Sequence, residues 1–259
     1  MEAPNPIAPA EPRQRWRLVY ARSDSAPSLA QRDQQAAWEA GLRAGGLPVV
    51  GQDLMPPRPR IAFAAPLGVG LPAERELADL FLAERLPVAV VRDALEANLP
   101  VGHRLIELQD VWLGEAALPG QVIAADYRAE VRVGGADLAE GEPAPSAPDA
   151  LADGARRLLR EASLPRTRDK GGQPVAYDLR PLLADISLIE AGSPAATDSG
   201  PSGPASQPNR IQLRIRVRYD PERGVGRPEE VLAALAESAG LELSLERLVR
   251  ERVVLVADH

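Results

Sequence analysis

The 259-residue chain carries the same succession of periodic segments twice, and this repetition constrains its fold more than any other feature. Two-residue alternation predicts strands, and a 3.6-residue apolar stripe predicts helices. The first half gives a strand at 15–20, a helix from Ser28 to Gly45-Gly46, strands at 60–65 and 76–82, a helix at 90–98 and a strand at 103–112. The second half gives a strand at 122–133, a helix at 149–162, strand-like segments at 176–179 and 182–189, a strand at 211–218, a helix at 228–239 and one or more strands at 241–256.

Strand, helix, strand, strand, helix, strand is the order of the ferredoxin-like split βαβ plan. We therefore predict the α+β class, with two tandem ferredoxin-like (βαββαβ) domains at 13–120 and 121–259. Residues 1–12 are predicted to form a flexible tail. Residues 191–208, rich in Gly, Ser, Pro and Ala, are predicted to be a disordered insertion in the second domain. Ser28-x-x-Gln31 resembles a capping box at the start of the first helix.

The residue inventory excludes most familiar catalytic centres. The chain has no cysteine and two histidines, His103 and His259. Thiolate catalysis, zinc ribbons and iron–sulfur ligation therefore lack their ligands, and a Ser-His-Asp triad is disfavoured. Of the paired carboxylates, the side chains of Glu229 and Glu230 diverge on a helix, and Glu74 and Glu76 on a strand are expected to be solvated, so neither pair suggests an acid–base pair. We expect a protein without catalytic residues, metal site or cofactor of its own.

Net charge and hydropathy set expectations about surroundings. The formal net charge is −7, which argues mildly against non-specific nucleic-acid binding. No apolar run approaches the roughly 20 residues of a membrane span, and residues 1–12 lack a signal-like pattern. We therefore expect a cytoplasmic protein with no membrane association.

Four sequence blocks occur in an order typical of one bacterial family. They are Gly46-Leu47-Pro48-Val49, Pro57-Arg58-Pro59-Arg60-Ile61-Ala62-Phe63-Ala64-Ala65-Pro66-Leu67-Gly68-Val69-Gly70, Tyr177-Asp178-Leu179-Arg180-Pro181-Leu182 and Gly226-Arg227-Pro228-Glu229-Glu230-Val231-Leu232. Together they resemble the radical-SAM-linked protein family, a bacterial domain of unknown function often fused to, or encoded near, radical SAM proteins. Because the chain lacks the three cysteines that bind a radical SAM cluster, the resemblance implies an accessory domain with a radical SAM protein as partner.

The chain departs from this family around its first helix. The family usually has Lys-x-Gly after the first strand and Ser-His-Leu-Asp at the opening of the first helix. Here the two stretches are Arg22-Ser23-Asp24 and Ala30-Gln31-Arg32-Asp33, and only Asp33 is retained. We therefore expect no function that depends on that serine or histidine.

The strictly alternating run at 210–218 is the first candidate binding surface. Its apolar residues share one face of a strand, and Arg214, Arg216 and Arg218 share the other. Such a row requires anionic partners. These could be carboxylates of neighbouring strands, with Glu130 and Glu242 available, or an external anion such as RNA, which modules of this plan bind on an open sheet face.

Three further basic sites accompany this row. Arg166, Arg168 and Lys170 lie in a predicted loop next to Gly171-Gly172, which could approach a phosphate or simply form a solvated hairpin tip. Arg180 could brace that loop or bind with it. Arg58 and Arg60 are held by flanking prolines, which suits either anion binding or bracing by Asp53 or Asp33.

From these features we predict a non-catalytic accessory protein of a radical SAM or RNA-processing system that binds RNA through its arginines. The alternative is a protein-interaction scaffold that does not bind nucleic acid.

Overall fold

A computed structural model describes residues 10–134, 146–169, 171–189 and 209–258. Most of the predicted tail, Lys170 and the predicted insertion at 191–208 lie outside these ranges. The chain divides into two compact units, one formed by residues up to Val122 together with 255–259, the other by Ile123–Val254. The fold is mixed α+β, as the sequence predicts. Among the helices of the described ranges, none combines the length and apolar character needed to cross a bilayer.

The first unit contains a four-stranded antiparallel sheet and two helices. Its elements are β1 (Gln14–Arg22), α1 (Gln31–Ala44), β2 (Ile61–Phe63), β3 (Ala73–Leu82), α2 (Val88–Asn98) and β4 (His103–Val111). The strand order is β4-β1-β3-β2. Trp16, Leu18 and Tyr20 alternate along β1 and join Trp38 and Leu42 of α1 in one buried apolar core. The apolar residues that alternate along strand β1 and those that form a stripe on helix α1 therefore lie on the same side of the sheet.

The predicted capping box at Ser28 is wrong. Helix α1 begins at Gln31, and its N-cap residue, Ala30, makes no side-chain capping bond. Hydrogen bonds hold the preceding segment outside the helix, since the Arg22 guanidinium donates to the Pro27 carbonyl over 2.7 Å and the Gln34 amide donates to the Leu29 carbonyl. Tertiary contacts therefore override the local capping signal.

The second unit contains a larger sheet, two helices and a separate hairpin. Its elements are β5 (Val122–Gly134), α3 (Ala147–Arg160), β6 (Pro165–Asp169), β7 (Pro174–Asp178), β8 (Leu183–Leu188), β9 (Arg210–Asp220), β10 (Gly224–Val225), α4 (Pro228–Ala239) and β11 (Glu242–Leu255). Strand β5 lies between β11 and β9, and β8 and β10 pair with the other edge of β9. The hairpin β6–β7 forms its own two-stranded sheet.

The predicted loop around Arg166 is also wrong. Residues 165–169 form strand β6, which pairs with β7 in an antiparallel register. Gly171 and Gly172 have φ angles of 67° and 84°, left-handed values that glycine adopts readily and that a tight hairpin turn requires. The glycines thus serve the hairpin turn.

Candidate nucleic-acid interface

Strand β9 alternates as the sequence predicts, and its pairing with β5 builds a ladder of charged residues. Leu213, Ile215 and Val217 are fully buried. Four polar rungs, each a β5 residue and its β9 partner, lie on the opposite face: Asp126–Arg216, Arg128–Arg214, Glu130–Gln212 and Arg132–Arg210; a fifth rung pairs Ala124 with Arg218. Two of these four rungs place arginines directly opposite each other. Such pairs are unfavourable unless a carboxylate lies between them.

Strand β11 supplies those carboxylates. Glu251 accepts from Arg128 Nη1 through Oε1 at 2.9 Å and from Arg214 Nε through Oε2 at 3.2 Å. Glu246 forms ion pairs with both Arg132 and Arg210. One carboxylate therefore bridges each like-charged rung.

Asp126 repeats the arrangement on the remaining arginine rung. Arg216 donates Nε and Nη2 to its two oxygens at 2.6 and 2.9 Å, and Arg252 donates Nε to Oδ2 at 2.9 Å. We call these three clusters, each with two arginines and one carboxylate, the arginine face. Its members are Arg128, Arg132, Arg210, Arg214, Arg216, Arg252, Asp126, Glu246 and Glu251.

Both the charge balance and the exposure of the arginine face leave it positive. Counting only the shared carboxylates, each cluster has one more cation than carboxylate; Asp185, which lies opposite Arg216 and interacts with its charge, and Glu130 add two further carboxylates to this face. Burial alone would raise the pKa of Asp126, but hydrogen bonds from Arg216 and Arg252 outweigh burial and hold that pKa below its usual value. Asp126 is therefore ionised at neutral pH. The side chains of Arg214 and Arg216 are each 40 % exposed.

Neutralisation by neighbouring acids, the alternative considered for this row, is partly realised and uses different residues. Glu130 accepts a hydrogen bond from Gln212, while the carboxylates that pair with the row are Asp126, Glu246 and Glu251. Arg218 donates instead to the carbonyls of Pro181 and Leu183 at 3.1 and 3.2 Å. The sequence does not reveal Glu246 and Glu251 because their roles depend on the position of β11 in the sheet.

Arg166 and Arg168 do not join the arginine face. Arg166 forms a 2.8 Å ion pair with Glu237 of α4, and the Arg168 guanidinium lies over the ring of Tyr177. Burial raises the pKa of Glu230, also on α4, against the opposing effect of these two arginines. Buried residues of α4 pack with the apolar side of the sheet. The hairpin arginines therefore lie on the helix side and, among the described residues, do not form one patch with Arg214, Arg216 and Arg218. Lys170 lies outside the described residues.

Arg180 has a structural environment. Its guanidinium donates to the carbonyls of Leu159, Glu161 and Leu183 at 2.7, 3.1 and 2.9 Å. The first two carbonyls belong to the C-terminal end of α3, where the helix dipole favours a cation. Asp178 accepts hydrogen bonds from the backbone N–H groups of Leu164 and Arg180, which hold the pKa of Asp178 low despite an opposing contribution from burial. The family-like block at 177–182 therefore links helix α3 to the hairpin β6–β7 through the hydrogen bonds of Arg180 and Asp178.

Arg58 and Arg60 belong to the first unit. The Arg60 guanidinium stacks on the ring of Phe81, with its central carbon 3.9 Å from the ring centroid. Arg58 is exposed, and its backbone N–H donates to the Gly51 carbonyl at 2.8 Å. Arg60 thus contacts strand β3 through an aromatic ring, whereas the sequence left anion binding and bracing by Asp53 or Asp33 as alternatives, and the side chain of Arg58 remains an open candidate.

Sequence reasoning missed a second charged network, on β1 and β3. Asp79 is fully buried and accepts hydrogen bonds from Arg15 and Arg17 at 2.9–3.1 Å. Glu115 pairs with Arg17 at 2.9 Å. The signal was available, because Arg15 and Arg17 occupy the polar positions of an alternating strand. This network links β1 to β3 on the polar side of the first sheet. Because Arg15 is buried within it, its positive charge is not exposed on that side.

Comparison with known proteins identifies the family. A family model described as an uncharacterised protein conserved in bacteria (DUF2344) matches residues 15–216. Since this match covers most of the sequence, the chain belongs to that family. No curated protein gives a significant match.

Solved structures give distant likenesses only. A chain of a Cbf5–Nop10–Gar1 complex has a TM-score of 0.47 at 10 % identity, over 91 % of this chain and 48 % of that chain. The present chain therefore spans about half the length of that relative. An unknown protein from Galdieria sulphuraria has a TM-score of 0.24 at 12 % identity, over 93 % and 99 % of the two chains. A putative glycine cleavage system transcriptional repressor has a TM-score of 0.23 at 10 % identity, over 92 % and 99 %. Likenesses at this level carry no argument about function.

Proposed function

We propose that this protein is a non-catalytic accessory protein that binds RNA through the arginine face and works with a radical SAM or RNA-processing partner. The observation that carries the proposal is the ratio of two arginines to one carboxylate in each of three clusters on an exposed sheet face. With Glu130 and Asp185 counted beside the three shared carboxylates, the six arginines of the face still outnumber these five carboxylates by one. A radical SAM or ribonuclease gene beside the gene for this chain would support the partner.

The strand order supports a tandem ferredoxin-like fold for this role. We number the sheet strands of each unit from 1 to 4 and leave out the β6–β7 hairpin and β10. In both units the strand order is then 4-1-3-2. One helix connects strand 1 to strand 2, and the other connects strand 3 to strand 4. This order is expected of the split βαβ plan. Domains of that plan cover one sheet face with helices and leave the other open, and RNA-binding modules use the open face.

Arginine is well suited to this task. Its planar fork donates up to five hydrogen bonds, and it matches phosphate as well as carboxylate. Arg214 donates Nε to Glu251, and its side chain is 40 % exposed. The ion pairs with the carboxylates hold the guanidinium groups in place before RNA binds. Such preorganisation lowers the entropy lost on binding.

The proposal is tested by replacing Arg214 and Arg216 with Gln in one variant. RNA binding should weaken, and the slope of log affinity against log salt should flatten by about one for each lost phosphate contact. The matched control is Arg92→Gln with Arg156→Gln, since these helix arginines form local ion pairs with Glu96 and Asp153. The control makes the same charge change away from the arginine face and should bind RNA as the unmodified chain does.

A gel-shift titration at about 50 mM salt, where phosphate contacts are strong, distinguishes this proposal from the scaffold alternative. The scaffold alternative predicts no shift with structured or single-stranded RNA, and that result would remove the RNA proposal. Thermal melting of both variants checks folding, because each half-exposed charge contributes at most about 1 kcal/mol to stability.

A further inference from the structure

Resting on the proposed function, we infer that the arginine face recognises the phosphodiester backbone of single-stranded RNA without reading its bases. We further infer that the three shared carboxylates set the affinity by competing with phosphate. The inference rests on three features: the spacing of the rungs, the side chains on them and the sharing of each carboxylate.

The spacing favours a chain of phosphates over a single one. Residues two apart on a strand are separated by about 7 Å, so the four rungs span roughly 20 Å. This step is comparable to the distance between neighbouring phosphates of an extended single strand. Clusters occupy the first, second and fourth rungs, and the third rung is Glu130–Gln212. A single phosphate contacts one cluster and so meets one excess positive charge. A strand of four or more nucleotides can contact all three clusters.

The side chains on the rungs favour the backbone over the bases. The residues of the four polar rungs are Arg, Asp, Glu and Gln, and the fifth rung is Ala124–Arg218, so the ladder offers no aromatic ring on which a base can stack. Base stacking is the main source of affinity in most single-strand binders, and hydrogen bonds to base edges are the source of sequence specificity. A face without rings recognises charge and spacing, and its affinity depends little on sequence.

The carboxylates act as internal competitors. Glu246 accepts from Arg132 Nη2 and from Arg210 Nε, donors that an incoming phosphate oxygen would also use. Its presence lowers the net charge of that cluster from +2 to +1. The same holds for Glu251 with Arg128 and Arg214. Removing one carboxylate should therefore tighten RNA binding, the opposite of what a ligand-contacting acid would do.

The experiment compares Glu246→Gln with Glu237→Gln, which also removes one negative charge but lies on α4 beside Arg166. Fluorescence anisotropy with single-stranded oligo-U and oligo-A of eight nucleotides is the readout. Glu246→Gln should bind several-fold more tightly and steepen the salt slope by about 0.7, the value for one further single-strand phosphate contact. Glu237→Gln should match the unmodified chain. Glu251→Gln provides a second test should Glu246→Gln fold poorly.

The possible outcomes test backbone recognition, the role of the carboxylates and the proposed function separately. Two results together support backbone recognition. The affinities for oligo-U and oligo-A should be equal, and adenosine monophosphate should not displace the oligonucleotide at concentrations at which the oligonucleotide itself saturates the protein. Tenfold preference for one sequence, or competition by the mononucleotide, overturns backbone recognition. An affinity of Glu246→Gln no greater than that of Glu237→Gln overturns the role of the carboxylates, even where RNA binds. Absence of all binding to the unmodified chain removes the proposed function as well.

Discussion

Arg180 shows how a residue that resembles a ligand at the level of sequence can be structural. Its guanidinium ends at three backbone carbonyls, two of them from the last turn of α3 and the residue after it. Charge-assisted hydrogen bonds of this kind are roughly twice as strong as neutral ones. The residue therefore stabilises the junction between helix and hairpin, and its charge is directed inward.

Replacing Arg180 with Gln should lower the free energy of unfolding by about 2–3 kcal/mol, since several carbonyls lose a charged donor. Urea denaturation measures this change. Arg156→Gln is the control, because Arg156 forms a local ion pair with Asp153 one turn away and its loss should cost less than about 0.5 kcal/mol. RNA affinity, measured where both proteins are folded, should be unchanged. A stable Arg180→Gln variant with weakened RNA binding would return Arg180 to the list of ligands.

Among the candidate residues, the sequence predicted the orientation of Arg214, Arg216 and Arg218 but not their partners. Orientation follows from alternation within one strand, which is local. Partners depend on which strand lies alongside and in what register, and β11 is about thirty residues away in sequence. The same reason explains why Asp79 was missed, since its burial depends on the pairing of β1 with β3.

At the scale of elements, both helix pairs make close contact through a glycine. A Cβ on Gly41 of α1 would lie 2.2 Å from the carbonyl oxygen of Asn98, the last residue of α2. A Cβ on Gly154 of α3 would lie 3.2 Å from Ala239, the last residue of α4. In each unit a glycine in the first helix thus meets the end of the second helix, a likeness that the sequence pattern alone did not reveal.

Gly41→Ala should destabilise the protein by about 1–3 kcal/mol, because the overlap with the Asn98 carbonyl forces the helices apart and exceeds the gain of up to about 1 kcal/mol in helix propensity. Gly120→Ala is the matched control, since a Cβ there meets nothing within 4 Å. It should be neutral or slightly stabilising. Chemical denaturation of both variants decides the point, and equal stabilities would show that the helix contact tolerates a methyl group.

Most elements could be predicted from periodicity, and the exceptions have identifiable causes. The sequence of strand β6, Pro-Arg-Thr-Arg-Asp, predicts a loop because it lacks apolar residues in alternation, and the strand depends on β7 for its pairing. Strand β10 has two residues, too few for any period. The start of α1 was misplaced because tertiary hydrogen bonds overrode the capping signal.

For the whole molecule, pH dependence near neutrality centres on His103. Burial lowers the pKa of His103 below its ordinary value of 6.5, and the nearby charge of Arg22 lowers it further, against weaker backbone hydrogen bonds that raise it. The ring also packs near Tyr20 and Trp38, with centroids 5.9 and 5.5 Å away. The folded chain therefore binds this proton less readily than the unfolded chain does.

Stability should consequently fall as pH drops below about 6.5, because the unfolded state gains the proton first. Carboxylates with lowered pKa values, such as Asp126, contribute only at more acidic pH. Melting temperatures at pH 7.5 and 5.5 test this for the unmodified chain and for His103→Gln. The difference between the two pH values should shrink in the variant. An unchanged difference would assign the pH dependence to another group.

The two like-charged rungs also bear on the order in which the second unit can assemble. Pairing β5 with β9 brings Arg128 against Arg214 and Arg132 against Arg210, and this repulsion opposes the pairing of the two strands alone. Relief comes from Glu246 and Glu251, which lie on β11, later in the sequence than both strands. During synthesis from the N-terminus, the pairing of β5 with β9 can become fully favourable only once β11 has emerged. Strand β11 thus supplies the charges that let two mutually repelling strands stay paired.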